Sequence, residues 1–240
     1  MTHETEGVLY LIPSSLGEDS LDSVWPAAHT SLINNLDIFI VENLRTARRF
    51  LRRAGLKKDF DRLRLHLMDK HHPEQDLLPV LDELANGQSI GLLSEAGCPG
   101  VADPGQELVA YAHRRRYRVK PLVGPSSILL ALMASGLNGQ HFSFHGYLPI
   151  DQAVREKKIK RLEADSQRSA ITQIFMEAPY RNNALAKSVL SCCQDNTLFS
   201  IAMNISKLNE YISTKTIGQW KREGLPDLHK RPAIFLLMGS

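Results

Sequence analysis

Short apolar runs recur along the chain, and most are separated by amphipathic stretches. Val8–Ile12, Ile38–Glu42, Leu63–Met68, Ile90–Ser94 and Tyr117–Val123 read as β-strands with helical segments between most of them. Such alternation predicts a parallel sheet covered by helices. Past Gly124 the pattern changes, with strands expected at Phe142–Leu148, Ile171–Glu177, Phe199–Met203, Glu210–Ile217 and Ala233–Met238. The reading is therefore of an α/β protein in two α/β domains, residues 1–123 and 124–240. Asp103-Pro104 is expected to cap and open a helix over Gln106–Arg115, because Asp accepts from free first-turn N–H groups and Pro needs none. Arg155–Arg168, rich in lysine and glutamate with few apolar positions, is expected to be a surface helix.

Composition changes this picture little. With 43% hydrophobic and 23% charged residues among 240, the chain can bury a substantial core, which excludes intrinsic disorder. A net charge of +3 does not by itself indicate nucleic-acid binding, but the arginines cluster at Arg45–Arg53 and Arg114–Arg118. Cys98 and the adjacent Cys192 and Cys193 form no CxxC and suit a reduced compartment. Met1–Glu6 lacks the basic, apolar character of a signal peptide, and the apolar stretch Ile128–Leu137 falls far short of the roughly 20 residues that cross a bilayer. A cytoplasmic protein without membrane contact is expected.

The chemistry concentrates in the loops that leave the strands. Leu93-Ser94-Glu95-Ala96-Gly97-Cys98-Pro99-Gly100-Val101-Ala102-Asp103-Pro104-Gly105 exits one strand and enters a helix, and such glycine-rich loops let a ligand approach bare backbone at the carboxyl edge of a parallel sheet. The spacing is neither GxGxxG nor GxxxxGK[ST], and no lysine is placed to reach a phosphate, which argues against dinucleotide and nucleoside-triphosphate sites. Val123-Gly124-Pro125-Ser126-Ser127 ends the next strand in the same manner, and small residues also follow the first strand at Pro13-Ser14-Ser15. His66, His71, His72, Glu74 and Asp76 lack the regular spacing of a zinc site, and His71-His72-Pro73 reads as a loop leaving a strand, so no metal is expected.

With those loops go Glu42-Asn43-Leu44-Arg45, Ala134-Ser135-Gly136-Leu137, Phe144-His145-Gly146-Tyr147-Leu148-Pro149 and Glu177-Ala178-Pro179-Tyr180-Arg181. In this order, over nearly the whole chain, they resemble the tetrapyrrole-methylase superfamily of S-adenosylmethionine-dependent methyltransferases. Within it they are most similar to the ribosomal RNA small-subunit methyltransferase I group, which 2′-O-methylates a cytidine. The resemblance implies a metal-free enzyme, usually a homodimer, that holds S-adenosylmethionine in a cleft between two α/β domains. It implies cofactor contacts from Gly97, Cys98, Pro99, Ala102 and Asp103, from Ser126 and Ser127 at the junction, and from Met176, Met203, Pro232 and Ala233.

Glu42, Arg45, Glu177, Arg181 and Lys207, each at or just beyond a strand end and most within these motifs, are the charged residues expected near the acceptor; the alternative for Glu177 and Arg181 is an ion pair that fixes a turn. Methyl transfer from a sulfonium is an in-line displacement that depends on alignment, and a ribose hydroxyl also needs a group to manage its proton. RNA, alone or in the small ribosomal subunit, is the implied partner, with the arginine runs available to its phosphates. Tyr180 is suited either to stacking on a base or to core packing. The group's usual Glu-Asp-Thr-Arg, Asp-Ala-Gly-Thr-Pro and Pro-Gly-Pro-Ser-Ala stand here as Glu42 to Arg45, Glu95 to Pro99 and Val123 to Ser127, and Lys230-Arg231-Pro232 replaces a Lys-Gly-Glu. The cofactor elements are better kept than the acceptor elements. A small acceptor such as a tetrapyrrole, or cofactor binding without turnover, is the alternative.

Overall fold

The computed structural model describes residues 7–17, 21–69, 71 and 73–239. The chain divides into two compact units, Met1–Ser126 and Ser127–Ser240. In the first, the strands are β1 (Val8–Ile12), β2 (Ile38–Val41), β3 (Arg64–Leu67), β4 (Ile90–Leu93) and β5 (Arg118–Pro121). Its helices are α1 (Leu21–Val24), α2 (Ala27–Asn34), α3 (Leu44–Arg53) and α4 (Gln106–Arg114), with a long 3-10 stretch at Glu74–Asn86. The strands pair in the order β3-β2-β4-β1-β5, all parallel, so every strand delivers its following loop to one edge. The central strands β2 and β4 are buried throughout, as their unbroken apolar runs require.

One apolar cluster, including Leu9, Ile38, Leu81 and Leu108, packs on one face of this sheet, and another, including Ile12, Phe39, Ala47 and Leu51, on the other. α4 starts differently from the sequence expectation. Its N-cap is Gly105, at φ 121°, with no side-chain cap of its own. The free N–H groups of Gly105, Glu107 and Leu108 donate instead to the Glu74 carboxylate, at 2.8, 2.7 and 3.2 Å. A left-handed turn after Pro104 carries Asp103 out of capping position, and a carboxylate 31 residues upstream replaces it.

The second unit holds α5 (Ser127–Ser135), β6 (Phe142–Tyr147), α6 (Gln152–Ser169), β7 (Thr172–Met176), α7 (Asn182–Cys192), β8 (Leu198–Met203), β9 (Tyr211–Thr216), α8 (Ile217–Glu223) and β10 (Ala233–Met238). Its five strands run in the order β6-β7-β10-β8-β9, with β6 parallel to β7 and the other neighbours antiparallel. Phe175, Phe235 and Phe199 stack across the middle of the sheet. α6 begins earlier than expected, where the Asp151 carboxylate accepts from Val154 N at 2.9 Å. It is also less of a surface helix than its composition suggests: Ile159 and Leu162 are buried, and so are Arg155, Glu163 and Ser166. Arg155 donates to Ser188 Oγ and Ile150 O, while Glu163 accepts from Thr197 Oγ1 and Gln194 N. Among the described residues, no helix is long and apolar enough to cross a membrane.

Candidate active site

At the carboxyl edge of the first sheet, the loops after β1, β4 and β5 are tied together by backbone. Ser14 and Gly97 exchange two backbone hydrogen bonds, of 2.8 and 3.1 Å. The Ser14 hydroxyl donates to Ser94 O at 2.7 Å, and the Ser94 hydroxyl to Gly97 O at 3.1 Å. The Cys98 thiol, kept protonated by burial and then by the nearby Asp103 charge, donates to Pro125 O at 3.4 Å. Gly124 enters this knot by necessity, since a Cβ there would lie 2.1 Å from Pro13 Cγ. Between Gly97 (φ 80°) and Gly105 the chain visits left-handed conformations also at Gly100 (φ 77°) and Ala102 (φ 62°). The strained alanine and the open space beside Gly100 mark a loop shaped to expose its backbone.

Three carboxylates meet here. Glu42, the residue after β2, accepts from Glu95 N at 3.2 Å, and Glu95 accepts from the Thr46 hydroxyl at 3.1 Å. Burial, then the Asp103 charge, raise the Glu42 carboxyl to about 7. Burial, then Glu95, raise Asp103 to about 6. None of the ion pairs among the described residues involves any of the three. A water-sized recess lined by Ser14, Glu42, Asn43, Thr46, Ser94 and Glu95 opens beside them. Asn43 caps α3 by accepting from Arg45 N and Thr46 N, which explains how the helix starts without the motif's usual aspartate. Arg45 is exposed on the first turn of α3 and pairs with none of these carboxylates.

The second unit gathers its share of the expected residues at one edge of its own sheet. Register places Tyr147 beside Met176, Met176 beside Ile234, Ala233 beside Met203 and Met203 beside Tyr211. Pro232 O accepts from Asn204 N at 2.9 Å, Pro179 O from Lys230 N at 3.0 Å, and Arg231 O from the Asn182 side chain at 2.6 Å, so the loops around that edge are laced together. Glu177 has 1% side-chain exposure and pairs with Arg181 at 2.6 Å. Its other oxygen, Arg181 Nε and Asn182 Oδ1 are buried without a protein partner. Three unmet hydrogen bonds within six residues are a place for bound water or ligand rather than for fold stability. Tyr180 is not a core residue: it is 61% exposed, with the Arg181 guanidinium 4.8 Å from its ring centre. Lys207 is half-buried, in a turn that Asn204 (φ 53°) and Ser206 (φ 65°) open after β8.

Of the expected residues, Gly97, Cys98, Pro99, Ala102, Asp103, Ser126, Glu42 and Arg45 thus belong to the first unit. Ser127, Met176, Glu177, Arg181, Met203, Lys207, Pro232 and Ala233 belong to the second. Sequence reasoning missed Ser14, Thr46 and Glu95 as partners. The small residues after β1 were the available signal for Ser14. Glu74, from the 3-10 stretch, is taken up in capping α4, and His72 lies outside the described residues.

No family model matches the chain. It is 31% identical over 234 residues to the ribosomal RNA small subunit methyltransferase I of Vibrio cholerae, covering 96% of this chain and 76% of that protein. The protein of the same name from Buchnera aphidicola is 28% identical over 236 residues, covering 97% and 79% of the two chains. That from Escherichia coli O157:H7 is 28% identical over 222 residues, covering 91% and 73%. Among solved structures, the methyltransferase CobJ superposes with a TM-score of 0.62 at 16% identity, over 98% of this chain and 95% of its own, a likeness of fold.

Proposed function

Because the chain belongs to the ribosomal RNA small subunit methyltransferase I family, and is a methyltransferase, we propose that it methylates a ribose hydroxyl of a cytidine in small-subunit ribosomal RNA. S-adenosylmethionine is the donor, and the working form is a homodimer in the cytoplasm. The observation that carries this reading is the carboxyl edge of the first sheet. There bare left-handed backbone at Gly97 and Gly100 stands beside three carboxylates that no cation among the described residues neutralises. A sulfonium ligand fits such a place, because its positive charge relieves the crowding that keeps Glu42 and Asp103 partly protonated.

When bound, the donor supplies an electrophilic methyl carbon on a positively charged sulfur. Gly97, Cys98, Pro99, Ala102, Asp103 and Ser126 would hold it, and Ser127, Met176, Met203, Pro232 and Ala233 are proposed as its remaining contacts. Glu42, poised to ionise near neutrality, would take the proton of the acceptor hydroxyl, a match of base to working pH that is worth about 10²–10⁴ in rate. Arg45, Arg181 and Lys207 meet the phosphates that flank the acceptor, and the Glu177 pair holds Arg181 in place.

Calorimetric titration with S-adenosylmethionine and S-adenosylhomocysteine tests the donor site, alongside Gly97→Arg. That substitution puts a long side chain at φ 80°, with its Cβ 3.8 Å from Pro125 O. The wild type is expected to bind both ligands and the variant neither. Affinity for the sulfonium should rise with pH through about 6 to 7 as Asp103 and Glu42 ionise, more steeply than affinity for the neutral thioether. A folded wild type that binds neither ligand, with or without small ribosomal subunits, would sink the reading.

A further inference from the structure

The edge of the first sheet opposite the candidate site carries its own concentration of positive charge. α4 leaves the site at Gly105 and runs ~13 Å to Arg114 at the far edge. β5 starts there at Arg118, which pairs with Val8, and returns ~10 Å to Pro121. Arg114, Arg115, Arg116, Arg118 and Lys120 are all exposed. Arg115 alone among them has a carboxylate, Asp82 at 3.5 Å, which Tyr111 and Tyr117 also engage; the other four form no ion pair among the described residues. Arg114 and Lys120 each lie 5.9 Å from a tyrosine ring centre, Tyr111 and Tyr10, which leaves their N–H groups available.

Arg116 is the discriminating residue. It occupies the left-handed position that ends α4, at φ 62°, where the hydrogen bonds Arg116 N to His113 O and Tyr117 N to Ala112 O close the helix. Glycine or asparagine is the usual occupant of that position, and an arginine there carries backbone strain. Its exposed side chain returns nothing to the fold that a glycine would not supply at lower cost. The helix dipole accounts for basic residues in the last turn, Arg114 among them, but not for Arg116, Arg118 or Lys120 beyond the helix end.

We infer that Arg114, Arg116 and Arg118 at this edge, with Lys120 further along β5, form a second contact for RNA phosphates, which grips backbone away from the nucleotide under attack. The inference rests on the RNA reading above. It adds that the enzyme binds its substrate at two edges of one sheet, so that recognition is spread over more RNA than the reacting ribose.

The test is a variant carrying Arg116→Gly, Arg118→Gln and Lys120→Gln, compared with wild type in binding to small-subunit ribosomal RNA across ~50–200 mM salt and in steady-state methylation of small subunits. Loss of three phosphate contacts should flatten the slope of log affinity against log salt by about 2 to 3. KM for the subunit should rise tenfold or more, with kcat and donor affinity unchanged, and Arg116→Gly alone should not lower the melting temperature. A wild-type salt slope and KM in the active variant overturn the second contact and leave the RNA reading standing. A wild type that binds the donor but neither binds nor methylates the RNA overturns both.

Discussion

Glu42 is where pH acts most directly on this protein. Its carboxyl is raised to about 7 in the folded chain, from an ordinary value of 4.5. The ionised form is therefore disfavoured by folding, and the group costs stability progressively as pH rises between those values. Glu42→Gln keeps the size and removes the charge. In chemical denaturation it is expected to be more stable than wild type by about 1 kcal/mol at pH 8, after allowance for solvent screening, and equal to it at pH 4. The same substitution should lower kcat by about 10²–10⁴, the mark of a proton acceptor, and should weaken the rise of sulfonium affinity with pH to which the Glu42 charge contributes. A stabilised variant that retains full kcat would remove Glu42 from the chemistry. Its position at the end of an apolar strand was legible in the sequence. Its altered acidity was not, because that comes first from burial in the folded chain and then from Asp103, 61 positions away.

Among the elements, α4 shows how local and distant signals compete. Asp103-Pro104 has the composition of a helix start, yet the helix begins at Gln106 under the Glu74 carboxylate. The exchange matters for the site, because Glu74 also holds Gly105, the last residue of the exposed loop, at 2.8 Å. Glu74→Ala is expected to cost about 1–2 kcal/mol by leaving three N–H groups without their acceptor. Donor affinity should fall with it as the loop loosens, which thermal melting and calorimetry read separately. Asp103→Asn, which caps nothing, should leave the melting temperature at pH 8 unchanged or higher. α6 makes the complementary point: its charged composition suggested an exposed rod, but Arg155 and Glu163 are buried because Ser188, Ile150 O, Thr197 and Gln194 N answer them from other segments.

At the scale of the whole molecule, each compact unit has its own apolar core, so damage to one should be confined to it. Phe235→Ala, at the centre of the stacked phenylalanines, is expected to cost about 3–5 kcal/mol. Hydrogen exchange should show the loss in β7, β8 and β10 and unchanged protection in β2 and β4; equal loss in both units would refute their independence. The sequence by itself determined the strands and their order along the chain, since apolar runs, breakers and periodicity are local and every expected strand has its counterpart within a residue or two. It also marked the Gly97–Gly105 loop, because glycine and proline concentrated between a strand and a helix signal a turn that leaves its backbone bare. Tertiary structure alone decided that β6 and β7 run parallel in an otherwise antiparallel sheet, that Ser14 clamps Gly97, and that Glu42, Glu95 and Asp103 crowd into one electrostatic group. Each of these depends on residues far apart in the chain meeting at a strand end, and the free energy of such a meeting is written in no local stretch of sequence.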